Sequence, residues 1–181
     1  MKKKFLVIAT LLTIVMSVEA CGSADKSDVK VIESTTTNAE KQTTAVAEDS
    51  QYTLTYKDMV IAVDQDAAPI VEALGEPSSY FESPSCAGEG IGKLYTYSDI
   101  EIQTYPDGDK DLILYVLLRN DTVSTAEGLN LSSSKEDIIS ALGQPTSETS
   151  GNLVYEKGGM SLKFLFNGDD MISLEYDSAK N

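Results

Sequence analysis

The pentapeptide Ala73-Leu74-Gly75-Glu76-Pro77 returns as Ala141-Leu142-Gly143-Gln144-Pro145, 68 positions later. A glycine followed two residues on by a proline is a poor continuation of any helix. Glycine adopts backbone angles that a Cβ disfavours, and proline lacks an N–H and crowds the turn before it. Upstream of each copy the apolar residues share one helical face: Ile70, Val71 and Leu74, then Ile138, Ile139 and Leu142. Asp66 and Ser134 stand where a side-chain oxygen can accept from free N–H groups of the first turn. Ser134 with Asp137 makes a variant capping box, and Pro69 falls in the first turn, where its missing N–H costs little. Each copy is expected to close a helix of about nine residues with a left-handed glycine cap and to hand the chain on to sheet.

Strand patterns follow both copies. After the first come KLYTY, IEIQTY and LILYVLL, with Pro-Asp-Gly-Asp between the last two. After the second come NLVYE, MSLKFLF and MISLEY, with Asn167-Gly168 as the expected hairpin turn. Their alternation assigns faces. Ile100 and Ile102 oppose Glu101, Gln103 and Tyr105; Met160, Leu162 and Phe164 oppose Ser161, Lys163 and Leu165; Ile172, Leu174 and Tyr176 oppose Ser173 and Glu175. The expected fold class is therefore α+β: two tandem repeats of short helix plus antiparallel β-meander, with the helices on one face of the sheet. Repeat one would span about 58–121 and repeat two about 128–177, within a domain at 51–181.

A short helix closed by L-G-x-P ahead of an antiparallel meander resembles two families: the β-lactamase inhibitory protein and SmpA/OmlA, the small lipoprotein of the outer-membrane barrel-assembly machinery. The resemblance covers roughly residues 58 to 177. Those families carry a glycine before the Ser or Thr cap; here Ser132 and Asp64 stand in its place. What the resemblance implies is a binder, since the inhibitor holds its target on the open sheet face and the lipoprotein is a protein-binding subunit.

The N-terminus speaks for location. Three lysines precede an apolar run from Phe5 to Met16, and Ala20 precedes Cys21; these mark residues 1–20 as a secretory signal peptide. The run is shorter than the roughly 20 apolar residues of a spanning helix. Val18-Glu19-Ala20-Cys21 resembles the lipobox of bacterial lipoproteins, which implies that Cys21 carries the lipid. The expected place is the extracytoplasmic face of a Gram-positive cell membrane, held through that anchor. Residues 21–50 hold the lipidated N-terminus and a Thr- and Ser-rich tether with no aromatic residue and no sustained apolar period. Such a stretch cannot offset its ordering entropy and is expected to be disordered.

Charge and chemistry narrow the function. The net charge is −15, which disfavours nucleic acid and anionic lipid surfaces and favours a basic partner. No histidine is present, so triads of the Ser-His-Asp and Cys-His kinds are excluded. Asp107, Asp109 and Asp111 alternate like the start of a calcium loop, but Leu112 and Leu118 occupy the positions where an EF-hand needs glycine and glutamate. No metal or cofactor is expected. With Cys21 lipidated, Cys86 is left as an unpaired thiol, expected to be buried within a long insertion at 78–93. The reading is a non-enzymatic binding module for an envelope protein or wall component. Its binding residues would be Glu101, Gln103, Tyr105, Lys163 and Glu175 on the polar sheet face, with tyrosine supplying contact area at low entropy cost. The alternatives are a histidine-free cell-wall enzyme using carboxylates and a thiol-dependent redox protein using Cys86.

Overall fold

The computed structural model describes residues 51–181. The expected signal peptide, Cys21 and the tether lie outside the described residues. A hairpin of β1 (Leu54–Tyr56) and β2 (Met59–Ile61) leads to helix α1 (Ala68–Leu74). Strands β3 (Ser79–Pro84), β4 (Ile91–Thr96), β5 (Ile100–Asp107) and β6 (Lys110–Leu118) follow. Then come helix α2 (Lys135–Leu142) and strands β7 (Ser147–Thr149), β8 (Asn152–Lys157), β9 (Met160–Asn167) and β10 (Asp170–Ser178). Most hairpins close with two residues; at Lys57-Asp58, Ser150-Gly151 and Gly158-Gly159 both have positive φ, as the twist of paired strands prefers.

The expected fold class is corrected. The described chain is mostly β, with 47% of it in strands and 11% in two short helices, and it is not a helix-plus-β tandem repeat. Strands β3 to β10 form one antiparallel sheet in the order β3-β4-β5-β6-β10-β9-β8-β7. The joint is β6 beside β10, with Leu117 opposite Glu175, Val116 opposite Tyr176 and Tyr115 opposite Asp177. The physical reason lies in the helices. They have seven and eight residues and bury one residue each, Ile70 and Ile138. So little apolar area cannot organise a layer, and the backbone ladder of eight strands dominates.

The stop signals are real but of another kind than expected. Gly75 has φ 76 and ψ −157, and Gly143 has φ 81 and ψ −159. This is not the left-handed helical region but an extended region with positive φ that is essentially reserved to glycine. Each glycine carbonyl accepts from a tyrosine hydroxyl, that of Tyr97 just after β4 at 3.5 Å and that of Tyr155 on β8 at 2.9 Å. The two N-termini differ. Ser134 caps α2 with the full capping box to Asp137, whereas α1 has Ala67 at the cap position, and Asp66 only accepts from the Ala68 N–H at 3.1 Å.

One apolar cluster serves the described unit. It joins Leu54, Ile61 and Val63 to Ile100, Ile102, Val116 and Leu118 and to Leu162, Phe164, Leu174 and Tyr176, with Ile70 and Ile138 from the helices. Two bulges reset the alternation. Leu114 is the extra residue of β6, and Ile172 is the extra residue of β10. Ile172 is consequently 63% exposed instead of facing the core beside Leu174. The hairpin turn before β10 is Gly168-Asp169, one residue later than expected.

The insertion at 78–93 is mostly sheet. Ser79–Pro84 pairs along β4 as an edge strand, and only the turn beyond it is irregular. That turn folds back so that a Cβ on Gly88 would sit 2.6 Å from the Pro106 carbonyl oxygen. Cys86 lies on this turn as a free, exposed thiol, not a buried one, because the turn stands outside the apolar cluster.

Candidate functional site

The strand registers define the face opposite the core. Glu101 of β5 is opposite Thr96 of β4 and Leu117 of β6, and Gln103 is opposite Leu94 and Tyr115. Across the joint, Leu117 is opposite Glu175 and Tyr115 opposite Asp177; Glu175 is in turn opposite Lys163 of β9. These side chains alternate with core residues along every strand. Most are half-buried, as expected where neighbours on a pleated face pack side by side in solvent.

Tyr115 is the centre of this face. Its hydroxyl donates to Glu101 Oε1 at 3.0 Å, and Glu101 Oε2 accepts from Thr96 Oγ1 at 3.1 Å. Burial first, and then the Glu101 carboxylate, hold the phenol well above its ordinary pKa, with Glu175 and Asp177 adding to the effect. Tyr115 is therefore a neutral donor at any physiological pH. Glu175 accepts from Ser173 Oγ at 2.5 Å. The arrangement is a tyrosine among carboxylates, and by register the apolar Leu94, Leu117, Val154 and Leu165 stand on the same sheet face. At the β8–β9 end a shallow cavity of about 410 Å³ opens beside Glu156, Ser161 and Ala179.

Of the five residues expected to bind, Glu101, Gln103, Lys163 and Glu175 share this face. Tyr105 does not serve as a contact residue: it is 1% exposed and its hydroxyl donates to Asp64 Oδ1 at 2.8 Å. The segment at 64–67 pairs with the backbone of residues 111–113, and the Lys180 ammonium lies 4.6 Å from the Tyr105 ring centroid. Lys163 is committed as well. Its ammonium sits 2.7 Å from Asp177 Oδ2, and Asp177 is fully buried, with Asn181 Nδ2 donating to its other oxygen at 2.6 Å. An unpaired buried carboxylate is costly, so Lys163 has a structural task whatever else it touches.

Tyr115 was not legible as a site residue, because it sits in Leu112-Ile113-Leu114-Tyr115-Val116-Leu117, where nearly every position is apolar. The bulge at Leu114 then shifts the parity on which a face assignment rests. Among the described residues no group of three or more Cys, Asp or Glu side chains is arranged to hold a metal ion, and no helix is long and apolar enough to cross a membrane. No family model, curated protein or solved structure matches the chain.

Proposed function

We propose that the chain is a lipid-anchored extracytoplasmic binding module that engages an envelope protein or wall polymer with cationic groups through its open sheet face. The observation that carries this reading is the partly buried Tyr115, whose hydroxyl donates to Glu101 and whose surroundings include the Glu175 carboxylate, on the sheet face opposite the apolar cluster. Aromatic area ringed by polar groups is the composition of recognition surfaces. The net charge of −15 supports a basic partner by complementarity and steering. The lipobox-like stretch ending at Cys21 agrees with the anchor.

The test uses the chain without residues 1–21, offered separately to envelope protein extract and to purified wall polymer. Gln103→Arg and Leu117→Lys alter the face without touching the core, and Val60→Lys on the β1–β2 hairpin serves as control. Binding lost in the first two and kept in the third supports the face; binding that survives both face substitutions refutes it. Anchoring is checked apart from binding. Cys21→Ser should move the full chain from the membrane fraction to the medium, and retention in the membrane would end the lipid-anchor reading.

A further inference from the structure

The two edges of the sheet are built differently. At one edge β7 is only Ser147-Glu148-Thr149, polar and exposed, the kind of short edge that resists pairing with another chain. At the other, β3 is six residues long, and its Tyr80 and Phe81 are 48% and 62% exposed. The ladder with β4 sets which backbone groups point outward. The Ser85 N–H donates to the Gly90 carbonyl at 2.9 Å, and the register continues through Ser83 with Gly92, Phe81 with Leu94 and Ser79 with Thr96. Antiparallel ladders alternate, so these odd-numbered residues bond to β4 while Tyr80 and Glu82 turn their N–H and C=O groups outward. Pro84, with no N–H, ends the row of donors.

We propose that this edge pairs with the same edge of a second copy of the chain, antiparallel about a two-fold axis at Phe81. Under that axis Tyr80 stands opposite Glu82 of the second copy, and every outward donor of one strand meets an outward acceptor of the other. Phe81 meets its own copy at a non-hydrogen-bonded position, where Cα atoms are roughly 4.5 Å apart and side chains lie closest. Within one chain the Tyr80 hydroxyl already donates to the Glu82 carboxylate; the same donor and acceptor types face each other across the axis. The residue-specific match of Tyr80 with Glu82 and the central pair of exposed Phe81 rings favour a second copy as the occupant of this edge. The contact is isologous and closes at two chains, since it consumes both β3 edges and leaves the eight-stranded sheets with their protected β7 edges. Phe81 shares the face of Leu94, so pairing sets both open faces on the same side of a continuous sheet. A repetitive ligand would then be held at two points. The net charge of −15 on each copy opposes association, so the dimer should tighten as salt screens the repulsion.

Sedimentation equilibrium of the chain lacking residues 1–21, from micromolar to millimolar concentration, should show a reversible monomer–dimer equilibrium that sodium chloride shifts toward dimer. Glu82→Pro removes one outward donor per strand and leaves the β3–β4 bonds in place; Phe81→Lys removes the apolar pair. Each should weaken association by about tenfold or more, with circular dichroism unchanged. Ile172→Lys, at a comparably exposed apolar residue away from β3, should leave association as it was. Amide exchange at Tyr80 and Glu82 in the unsubstituted chain should slow as concentration rises. A chain that stays monomeric throughout, or a dimer indifferent to both β3 substitutions, overturns the proposal, and neither result bears on ligand binding by the open face.

Discussion

Gly143 shows how much one residue can decide. No heavy atom lies within 4 Å of where its Cβ would be, so a side chain would meet space but not a permitted backbone. With φ 81 and ψ −159, Gly143→Ala should cost about 1–3 kcal/mol through backbone strain alone. Urea titration reads this as a lower midpoint at unchanged slope, and a midpoint equal to wild type would refute it. Asp99 is a second decisive residue. Asn120, Tyr56 and Ser98 donate to its carboxylate and tie the β1–β2 hairpin to the turn before β5. These hydrogen bonds, that from Asn120 foremost, hold its pKa down to about 2. The folded value lies below the unfolded one of about 3.9, so the ionised carboxylate stabilises the fold above that pH and the contribution fades as pH falls toward 2. The stability gap between wild type and Asp99→Asn should thus be constant near neutrality and close between about pH 4 and 2. A gap that widens on acidification would contradict the assignment.

At the scale of elements, the two helices were the parts best marked in the sequence and yet the least able to stand alone. Isolated helices below about 12 residues are marginal in water, so α1 and α2 depend on their ends and on Ile70 and Ile138. The reciprocal bonds between Ser134 and Asp137 make Ser134→Ala worth about 1 kcal/mol of lost stability. Asp66→Ala should cost less, since Asp66 makes one cap bond, from the Ala68 N–H, and its ion pair with the exposed Lys110 at 3.5 Å adds little. Thermal or urea unfolding of the two variants compares them directly; equal losses would mean that the capping box is not what holds α2. Strands were legible by composition wherever residues alternate, as in β9, whose burial follows a strict period of two. They were illegible at β3 and β7, which are short or exposed edges with no buried face to imprint a pattern.

At the scale of the molecule, the β6–β10 joint binds the sheet into one body. Tyr176 lies at this joint, 2% exposed, with a hydroxyl that has no hydrogen-bond partner. A buried donor left unsatisfied costs free energy that its removal returns. Tyr176→Phe should therefore raise stability by about 1 kcal/mol, and a loss of similar size would show that the hydroxyl is satisfied in solution. Because one apolar cluster spans both sides of the joint, unfolding should be a single transition with coincident fluorescence and circular dichroism curves. Two separated transitions would mean that the halves flanking the joint fold as independent units.

The residues alone determined where helices stop, the alternation along regular strands such as β9, and that Glu101 and Gln103 lie on one side of β5 opposite Ile100 and Ile102. These are local consequences of backbone sterics and of a two-residue period, and they need no knowledge of distant neighbours. Three matters were decided only by contacts between residues far apart in the chain. The strands merged into one sheet because β6 and β10 found each other; the L-G-x-P spacing carries no information about that pairing. Tyr105 was withdrawn from the surface by Asp64 and Lys180, 41 and 75 residues away. Tyr115 was promoted to the centre of the open face by a bulge at Leu114 and a partner strand some sixty residues on. Parity along a strand is written in the sequence, but burial is set by what packs against it.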